Sequence, residues 1–107
     1  MIHAEVIKVN GKNFKEEIKN GVVLVDFFAD WCGPCRMLAP VLEKLAKEIS
    51  GQATIAKLDI DQYQEIASEY HIASIPTLIL FKDGKEAGRI VGLRDANQLK
   101  EFILSAK

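Results

Sequence analysis

An α/β fold with a central mixed sheet of five strands and helices on both faces is predicted from three observations. Apolar segments of strand length alternate with segments whose apolar residues recur at helical spacing, no linker or repeat divides them, and the last two strand segments flank Asp83-Gly84, a hairpin turn. Strand, helix, strand alternation implies parallel pairing through right-handed crossovers, and the hairpin adds an antiparallel part. The expected order is βαβαβαββα within a single domain, residues 1–107.

Each element has its own signal. Residues 2–9 read as a first strand of poor alternation. Asn13 followed by Glu16 has the spacing of a capping box for a short helix through Lys19, stopped by Asn20-Gly21. The run from Val22 to Ala29 reads as a strand buried on both faces, although it contains Asp26. Leu38, Val41, Leu42, Leu45, Ala46 and Ile49 then mark one face of a long helix, with Glu43, Lys44, Lys47 and Glu48 on the other. Ser50-Gly51 ends that helix. A third strand is expected over Ala53–Asp61, a short helix over Gln64–Tyr70, and the hairpin strands over Thr77–Phe81 and Glu86–Val91. Asp95 with Gln98 opens a last helix that turns Leu99, Phe102 and Ile103 to the core.

A chain of 107 residues buries about two-thirds of its unfolded surface, so it needs no disulfide to fold. Its 14 Lys+Arg and 15 Asp+Glu give a net charge of −1 without long blocks of either sign, and neither nucleic acid nor a membrane is an expected partner. The first residues lack the basic start, apolar core and cleavage site of a signal peptide, and no apolar run approaches a membrane span. A cytoplasmic monomer is expected.

Both cysteines fall in Trp31-Cys32-Gly33-Pro34-Cys35, at the end of the second strand and the start of the long helix. In a reducing compartment such a pair is catalytic or metal-binding rather than a structural crosslink. Free N–H groups and the positive end of the helix dipole favour a thiolate at Cys32, which makes it the attacker in disulfide exchange. Cys35, one turn on, can reach back to cleave the mixed disulfide. Gly33 leaves the first sulfur open, Pro34 is tolerated early in a helix, and neither adds a charge that would favour the reduced form, so the dithiol is expected to act as a reductant. A zinc site would need four ligands, and two cysteines with distant His3 and His71 do not supply them. Asp26, if buried, should hold its proton near neutrality and suit proton transfer; a carboxylate on an exposed sheet edge is the other reading.

These residues, with Val25-Asp26-Phe27-Phe28-Ala29-Asp30, Met37-Leu38-Ala39-Pro40, Lys57-Leu58-Asp59-Ile60-Asp61, Ile72-Ala73-Ser74-Ile75-Pro76-Thr77, Phe81-Lys82-Asp83-Gly84 and Val91-Gly92, resemble the thioredoxin family in order along nearly the whole chain. The resemblance implies the thioredoxin fold and a general protein-disulfide reductase cycling between the dithiol and the disulfide of Cys32 and Cys35. It implies no bound cofactor, oxidised proteins as substrates, and a thioredoxin reductase drawing on NADPH or ferredoxin. By the same resemblance Asp26 lies beneath the disulfide and assists Cys35 with Lys57 as its partner. Pro76 is cis, and Ile75 offers its backbone to an extended substrate segment. Trp31, Ile60, Ile75, Val91, Gly92 and Leu93 then form an apolar substrate-binding rim.

The chain departs from the family pattern at Phe28, where a second tryptophan is frequent, at His71, where glycine is common, and at Ala73 and Leu93 on the rim. Trp31 is left as the sole tryptophan and should report the redox state by fluorescence. The competing readings are an oxidase or isomerase on the same fold, a non-redox binding subunit, and a metal or iron-sulfur module.

Overall fold

Val22–Phe28 forms strand β2, and its unbroken apolar character fits its place in the middle of the sheet. The structure is a computed structural model that describes residues 4–106. Within it the chain runs β1 (Ile7–Lys8), α1 (Phe14–Ile18), β2, α2 (Gly33–Glu48), β3 (Thr54–Asp59), α3 (Gln64–Glu69), β4 (Thr77–Lys82), β5 (Lys85–Val91) and α4 (Ala96–Leu104). The strands lie in the order β1-β3-β2-β4-β5. β1 and β2 pair parallel with β3, while β4 runs antiparallel to both β2 and β5, so the sheet is mixed as expected.

Alternation along β2 divides the core. Val23, Val25 and Phe27 face the layer completed by Phe14 and Ile18 of α1, with Ile66 of α3 and Tyr70 beyond its end packed against them. Leu24 faces the opposite layer, where Leu38, Leu42, Leu45 and Ala46 of α2 meet Leu99 and Ile103 of α4. Complete burial of each such leucine, isoleucine or phenylalanine contributes ~1.5–3 kcal/mol. Asp26 has the parity of Leu24 and so points into the α2 layer.

The first strand is far shorter than the expected 2–9. Among the described residues only Ile7 and Lys8 pair with β3, opposite Ala56 and Lys57; Ile2 and His3 lie outside the described residues. The chain turns away at Asn10, whose Oδ1 accepts from the N–H groups of Lys12 and Asn13 at 2.8 and 3.0 Å. That turn also overturns the expected capping box of α1. Asn13 Oδ1 accepts from Asn10 N–H at 2.7 Å and makes no cap bond into the helix. At α4 the box forms in both directions: Gln98 N–H donates to Asp95 Oδ1 at 2.8 Å and Asp95 N–H to Gln98 Oε1 at 3.0 Å.

β3 is likewise shorter than 53–61, because Asp59 Oδ1 accepts from Asp61 N–H and turns the backbone out of the ladder. Asp83 and Gly84 both have positive φ (50° and 86°), which fits the two-residue hairpin. His71, which stands where glycine is common in the family, is exposed just past the α3 cap with φ 55°, the left-handed position glycine usually fills.

Candidate active site

The end of β2 and the start of α2 carry the sulfur chemistry. Cys32 is the N-cap of α2, in extended conformation, with Pro34 inside the first turn. Its Sγ accepts from Cys35 N–H at 3.2 Å, so one of the free helix-terminal donors already points at sulfur. No acidic side chain stands in that turn to compete with an anion there. The two cysteines are joined as a disulfide with Cα atoms 5.2 Å apart. Both are 4% exposed and pack with Ala29 against Phe28, Ile60 and Ile75.

The peptide bond between Ile75 and Pro76 is cis, as the family resemblance implied. The Ile75 carbonyl oxygen lies 3.8 Å from Cys32 Sγ. Pro76 carbonyl accepts from Gly92 N–H at 2.8 Å, which ties the loop after β5 to the same turn. Gly92 takes φ 100°, a conformation side chains resist.

The rim residues divide into two kinds. Ile60 and Ile75 contact the cysteine cluster and are half-buried. Trp31, 67% exposed, and Val91 and Leu93, also exposed, are apolar surface. Val91 pairs with Thr77 beside Pro76, whereas Leu93 borders a shallow groove with Met37, Val41, Arg94, Asp95 and Gln98. Trp31 Nε1 donates to Asp61 Oδ2 at 2.9 Å, which fixes the indole across the end of β3.

Asp26 is 3% exposed, so the exposed-edge alternative fails: β2 is an interior strand. It lines a cleft of about 120 Å³ with Cys35, Phe28, Ala39, Leu42 and Lys57 among its other walls. Burial pushes its pKa up to about 7, against the pull of the Lys57 charge. Asp26 Oδ1 has no hydrogen-bond partner. Lys57 is the register partner of Asp26 on β3, and its Nζ lies 5.6 Å from the centre of the Phe28 ring.

Two contributors escaped the sequence reading. Asp61 holds Trp31 from thirty residues away, a pairing without a local signal. Phe28 entered only as a departure from the family pattern, yet it touches both the cysteine cluster and Lys57. Its spacing of two from Asp26 was the available clue, since i and i+2 share a strand face.

Among the described residues, no group of three or more histidine, cysteine, aspartate or glutamate side chains could hold a metal ion. No helix among them is long and apolar enough to cross a membrane.

Comparisons with known proteins agree with this geometry. The family model described as Thioredoxin matches residues 5–105. A thioredoxin of Chlamydia muridarum is 57% identical over 95 residues, covering 89% of this chain and 92% of that one. A thioredoxin of Staphylococcus haemolyticus is 49% identical over 98 residues, covering 92% and 94%. Among solved structures, a mutant thioredoxin from Halobacterium salinarum superimposes with TM-score 0.90 at 44% identity, covering 98% of this chain and 93% of that chain.

Proposed function

The chain belongs to the thioredoxin family and is a protein-disulfide reductase, and we propose that Cys32 is its attacking thiolate, Cys35 its resolving thiol and Asp26 the proton acceptor between the two steps. Cys32 thiolate attacks one sulfur of a substrate disulfide, forming a mixed disulfide and expelling a substrate thiolate that takes a proton from solvent. Cys35 thiol loses its proton to Asp26, and the resulting thiolate attacks Cys32 Sγ. The second substrate thiolate leaves and takes up a proton, which Asp26 gives back directly or through solvent, and the protein holds the Cys32–Cys35 disulfide. Two electrons have passed to the substrate, which now carries two thiols.

The observation that carries this assignment is the placement of Cys32 as the N-cap of α2, with Cys35 N–H donating to its sulfur. The first sulfur therefore sits where negative charge is most favoured, while the second shares a cleft with a carboxyl that titrates near neutrality. Lys57, beside Asp26, supports the charged form that accepts the proton. Gly33 and Pro34 keep the approach to Cys32 short and uncharged. Substrate binds in extended form along Ile75 and the cis Pro76, against the apolar rim of Trp31, Ile60, Val91, Gly92 and Leu93; backbone pairing of this kind reads little of the substrate's sequence.

The protein works on this reading as a cytoplasmic monomer, one domain over residues 1–107, without a resident cofactor. A thioredoxin reductase restores the dithiol with electrons from NADPH or ferredoxin. Trapping tests the division of labour. With insulin as the disulfide substrate, reduced Cys35→Ser accumulates a covalent adduct, and Cys32→Ser does not. An adduct from Cys32→Ser alone overturns the assignment.

A further inference from the structure

Lys57 emerges from β3 opposite Asp26 and diagonal to Phe28, so its flexible chain can reach either the carboxylate or the ring. It lies over the ring, 5.6 Å from the centroid, within the range of a cation–π contact. It makes no hydrogen bond to Asp26, on which it acts through charge alone, and Asp26 Oδ1 is left without a partner. Phe28 and Lys57 line both the cleft that holds Asp26 and a second, more polar cleft of about 220 Å³ beside Asp59 and Tyr63. The ring thus lines both clefts and is the resting place of the ammonium.

We propose that Phe28 is a positioning residue whose ring holds the Lys57 ammonium beside, rather than against, the buried Asp26 carboxylate, and so sets how much positive charge the acid behind Cys35 feels. The inference deepens the proton-acceptor reading of Asp26 and rests on it for its catalytic meaning. An ammonium drawn onto the carboxylate would stabilise the anion and make it a weaker base. An ammonium lost to solvent would leave the acid protonated through the working range. The ring selects an intermediate state. Other charged groups on the Asp26 cleft are Asp30 at the end of β2 and Arg36 and Glu43 on α2; Arg36 Nη1 donates to the Asp30 carbonyl at 2.9 Å.

The test is the titration of the Asp26 carboxyl followed by carbon NMR in the oxidised protein, in four forms: parent, Phe28→Leu, Lys57→Met and the double variant. Released from the ring, Lys57 moves onto the carboxylate, and Phe28→Leu lowers the midpoint by about one unit, the low end of the shift that an opposite charge in close contact produces. In the Lys57→Met background the same replacement leaves the midpoint where Lys57→Met put it. Phe28→Trp, which retains an aromatic face, keeps the midpoint at or above that of the parent and guards against a packing defect in the leucine form. A midpoint that rises or stays fixed in Phe28→Leu, or a shift that persists without Lys57, overturns the proposal. The Asp26 role is judged separately: if Asp26→Asn leaves the pH profile of mixed-disulfide resolution unchanged, the proton-acceptor reading fails whatever the midpoints do.

Discussion

Asp26 shows how a single residue can be kept at a cost to stability. An unfolded chain ionises this carboxyl near 3.8, whereas the folded protein holds it to about 7 because burial penalises the charge more than Lys57 repays it. A raised acid binds its proton more tightly in the folded state, so between these two values folded stability falls as pH rises, and above about 7 the loss is complete. Asp26→Asn removes that slope. Relative to the parent, the variant gains up to about 4 kcal/mol between pH 4 and pH 8, read as the change in the stability difference from urea unfolding at the two pH values. An equal difference at both would contradict the burial argument. The acid was legible in the sequence as an ionisable residue inside an apolar run, but its depth was not. Depth depended on β2 becoming an interior strand, which is settled by pairings with β3 and β4 far along the chain.

The two helix starts separate what local sequence decides from what it does not. Asp95 with Gln98 and Asn13 with Glu16 have the same spacing, and only the first closes a capping box. Asn10 accounts for the difference: its side chain takes the N–H groups of Lys12 and Asn13, and its own N–H takes the Asn13 oxygen that would have capped α1. Asp95→Ala should therefore cost about 1 kcal/mol, seen as a lower urea midpoint at unchanged slope, and Glu16→Ala should stay within about 0.5 kcal/mol. Equal losses would mean that both boxes form in solution. The long α2 was legible because six apolar positions on one face and a cysteine pair at its head speak together, and it forms as expected from Gly33 to Glu48. β1 was legible only as a weak alternation, and two paired residues are what that weakness produced.

At the scale of the whole molecule, the fold assembles the site from four separate stretches: the β2–α2 junction, the end of β3, the cis turn before β4 and the loop after β5. The cysteine pair was readable from five adjacent residues, because its chemistry needs only one helical turn. The rim was readable only through resemblance, since Ile60, Ile75, Val91 and Leu93 lie far apart in sequence and meet no spacing rule. Asp61 beneath Trp31 and Phe28 beneath Lys57 needed the three-dimensional pairing itself. All of these parts serve transfer in one direction: with an uncharged Gly33-Pro34 between the sulfurs, the dithiol gives up its electrons readily. The direct test is the equilibrium between dithiol and disulfide against graded dithiothreitol buffers at neutral pH, read by thiol alkylation with Trp31 emission as a second probe. The expected potential is more reducing than a glutathione pool at about −220 to −260 mV, with both probes giving the same midpoint. A potential well above that range, or no exchange between the two states, would contradict it.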